Sequence, residues 1–370
     1  MRRLLCTTLL FSAGLAHAEV PRVATDITPV HSLVSMVMQG AGSPDLIIPS
    51  GASPHSYAMR PSEARAVSKA DLVVWVGPSL APWLEEPLSS LAQGAERLTL
   101  QDVEGIRLLT NRSGVAFEAH DHGDHEGHDD HAGHDDHAGH DDHEGHVHGD
   151  HEDHEGHDHG DYEGHDDHEG HDDHADHDDH DHDAHEEDDA HAGHNHAPGA
   201  LDPHIWLDPQ NAIVWLDVIA ARLSEQDPEN AALYADNATR AQAQLVDLQA
   251  DIQAELTPLR GQKFVVFHDA YHYFEARFDV EASASISLSD GAAPSAARLA
   301  EVRDVVKDTQ AACVFTEPQF NAGLVDALQD GSVLKSASLD PLGAELAPGA
   351  DMYPALLRDL AAAFTSCLAK

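Results

Sequence analysis

The stretch DPENAALYADNATRAQAQLVDLQADIQAEL, residues 227–256, contains no Gly or Pro after Pro228. About 28 uninterrupted helix-compatible residues at 1.5 Å each predict roughly 40 Å of helix, longer than most helices in compact domains. On either side of it short β-type runs alternate with helical patterns, as in α/β units around parallel sheets. Before it, PRVATD, DLIIP, DLVVWVG and ERLTL read as strands, and TPVHSLVSMVMQG, RPSEARAVSKA and PWLEEPLSSLA as helices. In LDPHIWLDPQNAIVWLDVIAARLSEQD, Asp208 is placed to cap a helix carrying Pro209 in its first turn. After Pro258 the alternation starts again, with strands KFVVF, VEASASI, ACVFTE and SVLKSAS. The helices there are AYHYFEARF, APSAARLAEVRDVVKDTQ, AGLVDALQ and YPALLRDLAAAFTSCL. The expected fold is therefore α/β: two lobes, each a parallel-rich sheet flanked by helices, joined by one long rigid helix. The expected divisions are 1–18, 19–226, 227–257 and 258–370. No GxGxxG, GxxxxGK[ST] or GxSxG occurs, so nucleotide binding and a serine-hydrolase elbow lack support.

The formal charge of −47 is unevenly distributed. Residues 120–196 hold 31 Asp and Glu and no Lys or Arg, about two-thirds of the excess. What remains is an ordinary acidic protein without the positive charge that nucleic acid or an anionic membrane would require. At the N-terminus, Arg2 and Arg3 precede the apolar LLCTTLLFSAGL, and Ala16–Ala18 form a small-x-small site. These features predict a secretory signal cleaved after Ala18 and export to the periplasm, with secretion from the cell as the lesser alternative. Cys6 would leave with the signal. Cys313 and Cys367 would remain, and in an oxidising compartment such a pair forms a structural disulfide; two thiolate metal ligands are the alternative.

Of 32 histidines, 26 lie within 120–196. The others are His17, His31, His55, His204, His268 and His272. His55 and His268 follow apolar strand segments, His204 precedes a helix in LDPHIWLDP, and Asp340 follows a strand in SVLKSASLDPLG. Ligands of open α/β sheets bind beyond the carboxyl ends of strands, so each lobe offers imidazole or carboxylate toward a cleft. Spacing alone does not separate ligands from hydrogen-bonding loop residues.

SGASPHSYAMRPSEARAVSKADLVVWVG, DPHIWLDPQNA, FVVFHDAYHYFEARF, CVFTEPQF and LDPLG, in that order, resemble successive motifs of the ZnuA-like zinc-binding proteins. Those are periplasmic receptors of ABC-type zinc importers. The resemblance implies one zinc ion between two α/β lobes, a permease in the inner membrane as partner, and no enzymatic activity. Carried over by position, it implies ligands His55, His204 and His268. Asp340 matches the carboxylate that some members use as a fourth ligand, and Cys313 and Cys367 match a disulfide found in several. Some members have a glutamate before the first ligand histidine; here that residue is Pro54, which leaves Asp340 or water for the fourth position. His272, four residues beyond His268, is expected not to ligate, and His31 is expected to be structural or adjacent to the site. Three imidazoles and a carboxylate suit Zn²⁺, whereas Mn²⁺ prefers more oxygen.

Residues 120–196 repeat HDDH and HxGH, too polar to bury a core, so the composition predicts a disordered metal-collecting loop. Among its accessory ligands are His128, His131, His134, His137, His140 and His143. Mobile ligands lose conformational entropy on chelation, so several weak, exchangeable sites are expected, assisting one preformed site. The expected protein is a monomeric receptor, possible partners including periplasmic zinc chaperones. A zinc buffer, a manganese receptor of the same fold and, further off, a zinc hydrolase are the competing readings.

Overall fold

The computed structural model describes residues 19–112, 114, 116–117, 199–287, 295–318 and 334–369. The acidic histidine-rich stretch, its accessory ligands and the helix expected at 322–329 lie outside the described residues, as does the expected signal.

In the first lobe β1 (Val23–Thr25), α1 (Thr28–Val37), β2 (Asp45–Leu46), α2 (Pro61–Lys69), β3 (Leu72–Trp75), α3 (Glu85–Leu91) and β4 (Glu96–Thr99) alternate. The strands form a parallel sheet in the order β2-β1-β3-β4. The second lobe holds β5 (Phe264–Val266), α6 (His272–Phe278), β6 (Ala282–Ser285), α7 (Ala296–Thr309), β7 (Cys313–Thr316), β8 (Lys335–Ser338) and α8 (Met352–Leu368). Its sheet is also parallel, in the order β6-β5-β7-β8. The central strands β1, β3 and β5 are buried throughout and β7 in all but Thr316, as expected where helices cover both faces.

Between the lobes run α4 (Pro209–Gln226) and α5 (Ala231–Leu256). Asp208 caps α4 by accepting the Gln210 amide at 2.9 Å, with Pro209 in the first turn. The long helical pattern does not run through its first four residues. Asp227 instead makes a corner, where its carboxylate accepts from Asn230 at 2.6 Å and from the Tyr234 hydroxyl at 2.7 Å. The remaining 26 residues form α5, about 39 Å long. Tyr234, Ala238, Ala241, Leu245, Leu248, Ile252 and Leu256 make its buried stripe at helical spacing.

One end of α5 is attached to the first lobe and the other to the second. Asn237 donates to the carbonyls of Val37 and Gln39 at 2.8 Å each, satisfying the end of α1. At the far end Glu255 accepts from Thr365 on α8 at 2.9 Å. A single apolar core runs from Val23 and Leu72 through α4 and α5 to Phe264, Phe315 and Phe364. Phe264, Phe315 and Phe364 pack with ring centroids 4.8 to 5.5 Å apart, a spacing at which aromatic pairs attract. A smaller cluster, including Val265, Ile286, Val302 and Val314, lies under α7.

Cys313 on β7 and Cys367 on α8 are disulfide-bonded across 54 residues, with Cα atoms 5.9 Å apart. The bond ties the final helix to the second sheet. Closing a loop of this length contributes about 4 kcal/mol in the chain-entropy account. Replacing both cysteines by Ala is expected to lower unfolding free energy by about that amount, read from urea titration. Thiol titration of the denatured, unreduced mature protein should find no free cysteine.

Candidate metal site between the lobes

Three segments converge where the lobes meet. The loop after β2 carries His55. It is held by the Trp83 indole, which donates to the Pro54 carbonyl at 2.7 Å, and by the Ser53 hydroxyl, which accepts the His55 amide at 3.2 Å. The segment entering α4 carries His204, and the loop leaving β5 carries His268. All three side chains are buried. The His204 ring stands 5.6 Å from His55 and 5.3 Å from His268, centroid to centroid, both edge-on. With Zn–N bonds of about 2.1 Å, two imidazoles on one tetrahedral ion place their centroids about 5 Å apart. His204 therefore stands between His55 and His268, at a ring spacing from each that two ligands of one ion could have. Among the described residues, no group of three or more His, Cys, Asp or Glu side chains is arranged so that it could hold a metal ion as it stands. What the trio presents is ring spacing and the groups behind the rings.

Those groups are carboxylates. Asp202 Oδ1 lies 2.8 Å from His204 Nδ1 and also accepts the His204 amide at 3.0 Å. Glu317 Oε1 lies 2.5 Å from His268 Nδ1 and accepts the Tyr271 hydroxyl at 3.2 Å. Asp202 and Glu317 are themselves buried. Burial alone would push the Asp202 carboxyl up, but hydrogen bonds from His204 and His272 outweigh it and hold the group well below the usual carboxylate range. Burial and the nearby charges of Glu317 and Asp340 push the Tyr271 phenol well up, so it stays protonated and donates. An imidazole that donates from Nδ1 carries its lone pair on Nε2. The carboxylates thus set which nitrogen of His204 and His268 is available to a cation.

The remaining candidates sit differently. Asp340 is partly buried, and its carboxylate accepts three backbone amides: Leu342 at 3.0 Å, Gly343 at 2.9 Å and Ala344 at 2.6 Å. A carboxylate has about four lone-pair positions, so this turn occupies most of them. His272, the first residue of α6, directs Nδ1 toward Asp202 Oδ2 at 3.7 Å. His31 lies within α1 with Nε2 3.2 Å from the Pro44 carbonyl, and burial lowers its pKa.

Direct links between the lobes hold the segments in place. The Trp206 indole donates to the Pro341 carbonyl at 2.8 Å, and the Tyr353 hydroxyl to the Trp206 carbonyl at 2.6 Å. The Tyr273 hydroxyl donates to the Asp202 carbonyl at 3.1 Å and accepts the Leu109 amide at 2.8 Å. Arg277 donates to both oxygens of the fully buried Asp208 at 2.7 Å, the bidentate geometry that makes such pairs strong. Arg112 reaches from the segment before the histidine-rich stretch to Asp269 and Glu275, beside His268, with its guanidinium 3.9 Å over the Phe117 ring. Asp202, Glu317, Arg112 and Arg277 carry no mark of these roles in the sequence. Asking which group accepts the second nitrogen of each histidine would have drawn attention to DPH and FTEP.

A two-lobed α/β protein with buried imidazoles gathered between its lobes has the build of a metal-binding solute receptor. The chain belongs to the ZnuA family, "Zinc-uptake complex component A periplasmic", whose model matches residues 23–367. It is 41% identical over 360 residues to the high-affinity zinc uptake system protein ZnuA of Brucella suis, covering 97% of this chain and 95% of that one. With its counterpart from Paracoccus denitrificans it shares 42% identity over 354 residues, 95% of this chain and 93% of that one. Among solved structures, a zinc-bound ZnuA deletion mutant superposes with a TM-score of 0.64 at 19% identity. The match covers 95% of this chain and 99% of that one.

The Asp208–Arg277 pair generates a stability prediction. Arg277→Ala leaves a buried carboxylate without its cation, so unfolding free energy should fall by about 2–3 kcal/mol. Chemical denaturation of the two proteins measures it.

Proposed function

We propose that this protein is the exported zinc receptor of an ABC-type importer, capturing Zn²⁺ between its lobes and delivering it to a permease in the inner membrane. The observation that carries the reading is the buried His204 with the buried His55 and His268 on either side, each ring 5.3 to 5.6 Å from it. Membership of the zinc-uptake family supports the cargo and the non-enzymatic role. Imidazole donors favour zinc over manganese, which prefers an oxygen-rich site. Asp340, or a water, completes the coordination; with three backbone amides already on its carboxylate, Asp340 is the weaker contributor. Residues 1–18 act as the export signal, cleaved after Ala18, and the protein works in the periplasm.

Residues 120–196 serve as an auxiliary collector. The segments flanking them are pinned together: Asn111 donates to the Ala200 carbonyl at 2.8 Å, and Asp202 to the Leu109 carbonyl at 2.9 Å. The second of these leads directly into Asp202 and His204, so the stretch joins the chain at the segment that carries a candidate ligand. Neutral imidazole is the ligating form, so zinc on exposed loop histidines is released as pH falls through about 6.5.

Two experiments test the reading. His268→Ala should abolish the tight phase of zinc binding measured by competition with a chelator, while Asp340→Asn weakens it without abolishing it. Deleting 120–196 should reduce calorimetric stoichiometry to about one zinc while leaving the tight constant nearly unchanged. Loss of the tight phase on deletion would place the principal site in the loop instead.

A further inference from the structure

Taking as given that His204 and His268 share one zinc ion, we propose that Asp202 and Glu317 are the positioning residues that neutralise the bound ion. They act through the two imidazoles and so set the affinity of the site. Three neutral imidazoles leave the whole charge of Zn²⁺ uncompensated, in a place where the His204 and His268 side chains are only 2% and 4% exposed. Burying an unbalanced dication is costly. The carboxylates in direct hydrogen-bond contact with the ring nitrogens are Asp202, 2.8 Å behind His204, and Glu317, 2.5 Å behind His268. Together they carry the two negative charges that balance the ion.

Each carboxylate is built to stay in place without metal. The His204 amide steadies Asp202, and the Tyr271 hydroxyl steadies Glu317. The position of Tyr271 also explains why a phenol stands three residues after His268: it holds the carboxylate, and the carboxylate holds the ring. Asp340 is a poorer direct ligand, because its oxygens already secure the turn at 342–344. A fourth ligand that is water is then compatible with a neutral site.

Amide substitution separates charge from shape. In Asp202→Asn and Glu317→Gln the side-chain oxygen can still accept from Nδ1, so ring direction and tautomer are retained while the negative charge is lost. Zinc affinity of the full chain, measured in the tight phase by chelator competition, should fall about 10–100-fold for each variant, the range seen when such outer partners are removed. Asp202→Asn gives up the charge-assisted contacts that hold this carboxyl below its usual range, so a small fall in the metal-free Tm is expected there, far smaller than the loss of affinity. Asp340→Asn should cost less than either. Parent-like affinity in both amide variants, with binding abolished in His268→Ala, would overturn this inference and leave the receptor reading intact. A metal-free Tm that falls in step with affinity would make the role structural and overturn it as well. If His268→Ala itself binds like the parent, the site reading fails and this inference falls with it.

Discussion

An imidazole donates to a cation through one nitrogen, along one direction, in the plane of its ring. Three rings from distant points in a chain share an ion at the least entropic cost if each direction is fixed before the ion arrives. In this protein the fixing is done behind the rings. Asp202 holds His204 and Glu317 holds His268, each through Nδ1, and each carboxylate is buried and separately anchored. His55 is placed by its backbone, between the Ser53 hydroxyl and the Trp83 indole. The entropy of ordering the ligands is thus spent in folding rather than in binding.

The same requirement explains how the lobes are joined. Rings on opposite sides of a seam keep a spacing near 5 Å only if the seam does not slide. The α5 helix is secured to α1 by Asn237 and to α8 by Glu255, and one apolar core passes through both lobes. The Asp208–Arg277 pair, the Trp206–Pro341 and Tyr353–Trp206 bonds and the Arg112 contacts add polar links close to the trio. Around Arg112, burial opposes the charge, but Glu275 and Asp269 outweigh that and raise its pKa further. The guanidinium is therefore always charged.

Much of the architecture was legible because burial leaves a periodic trace. Parallel strands covered on both faces become short apolar runs, and DLVVWVG and KFVVF read correctly for that reason. Asp208 followed by Pro209 announced the start of α4 by capping chemistry alone. The pairing of Cys313 with Cys367 followed from the compartment and the family resemblance. The long helix was read four residues too long, because Asp227 and Asn230 are compatible with helix until Tyr234 is seen to close the corner on Asp227. Asp202, Glu317 and Arg277 left no periodic trace: each acts through a partner 2 to 69 residues away, and only the fold reveals which. His31 and His272 show the complementary difficulty, since a buried histidine that binds a carbonyl or carboxylate resembles a ligand in sequence.

The central proposal is that one zinc ion is shared by His55, His204 and His268, with outer carboxylates directing two of the rings. A crystal structure of the full chain with one equivalent of zinc, located by anomalous scattering at the zinc edge, tests it most directly. The account predicts a single strong peak about 2.1 Å from Nε2 of His204, Nε2 of His268 and a ring nitrogen of His55. Asp202 and Glu317 should still be seated behind their rings. A peak elsewhere in the chain, or one bound through Nδ1 of His268 with Glu317 displaced, would contradict it.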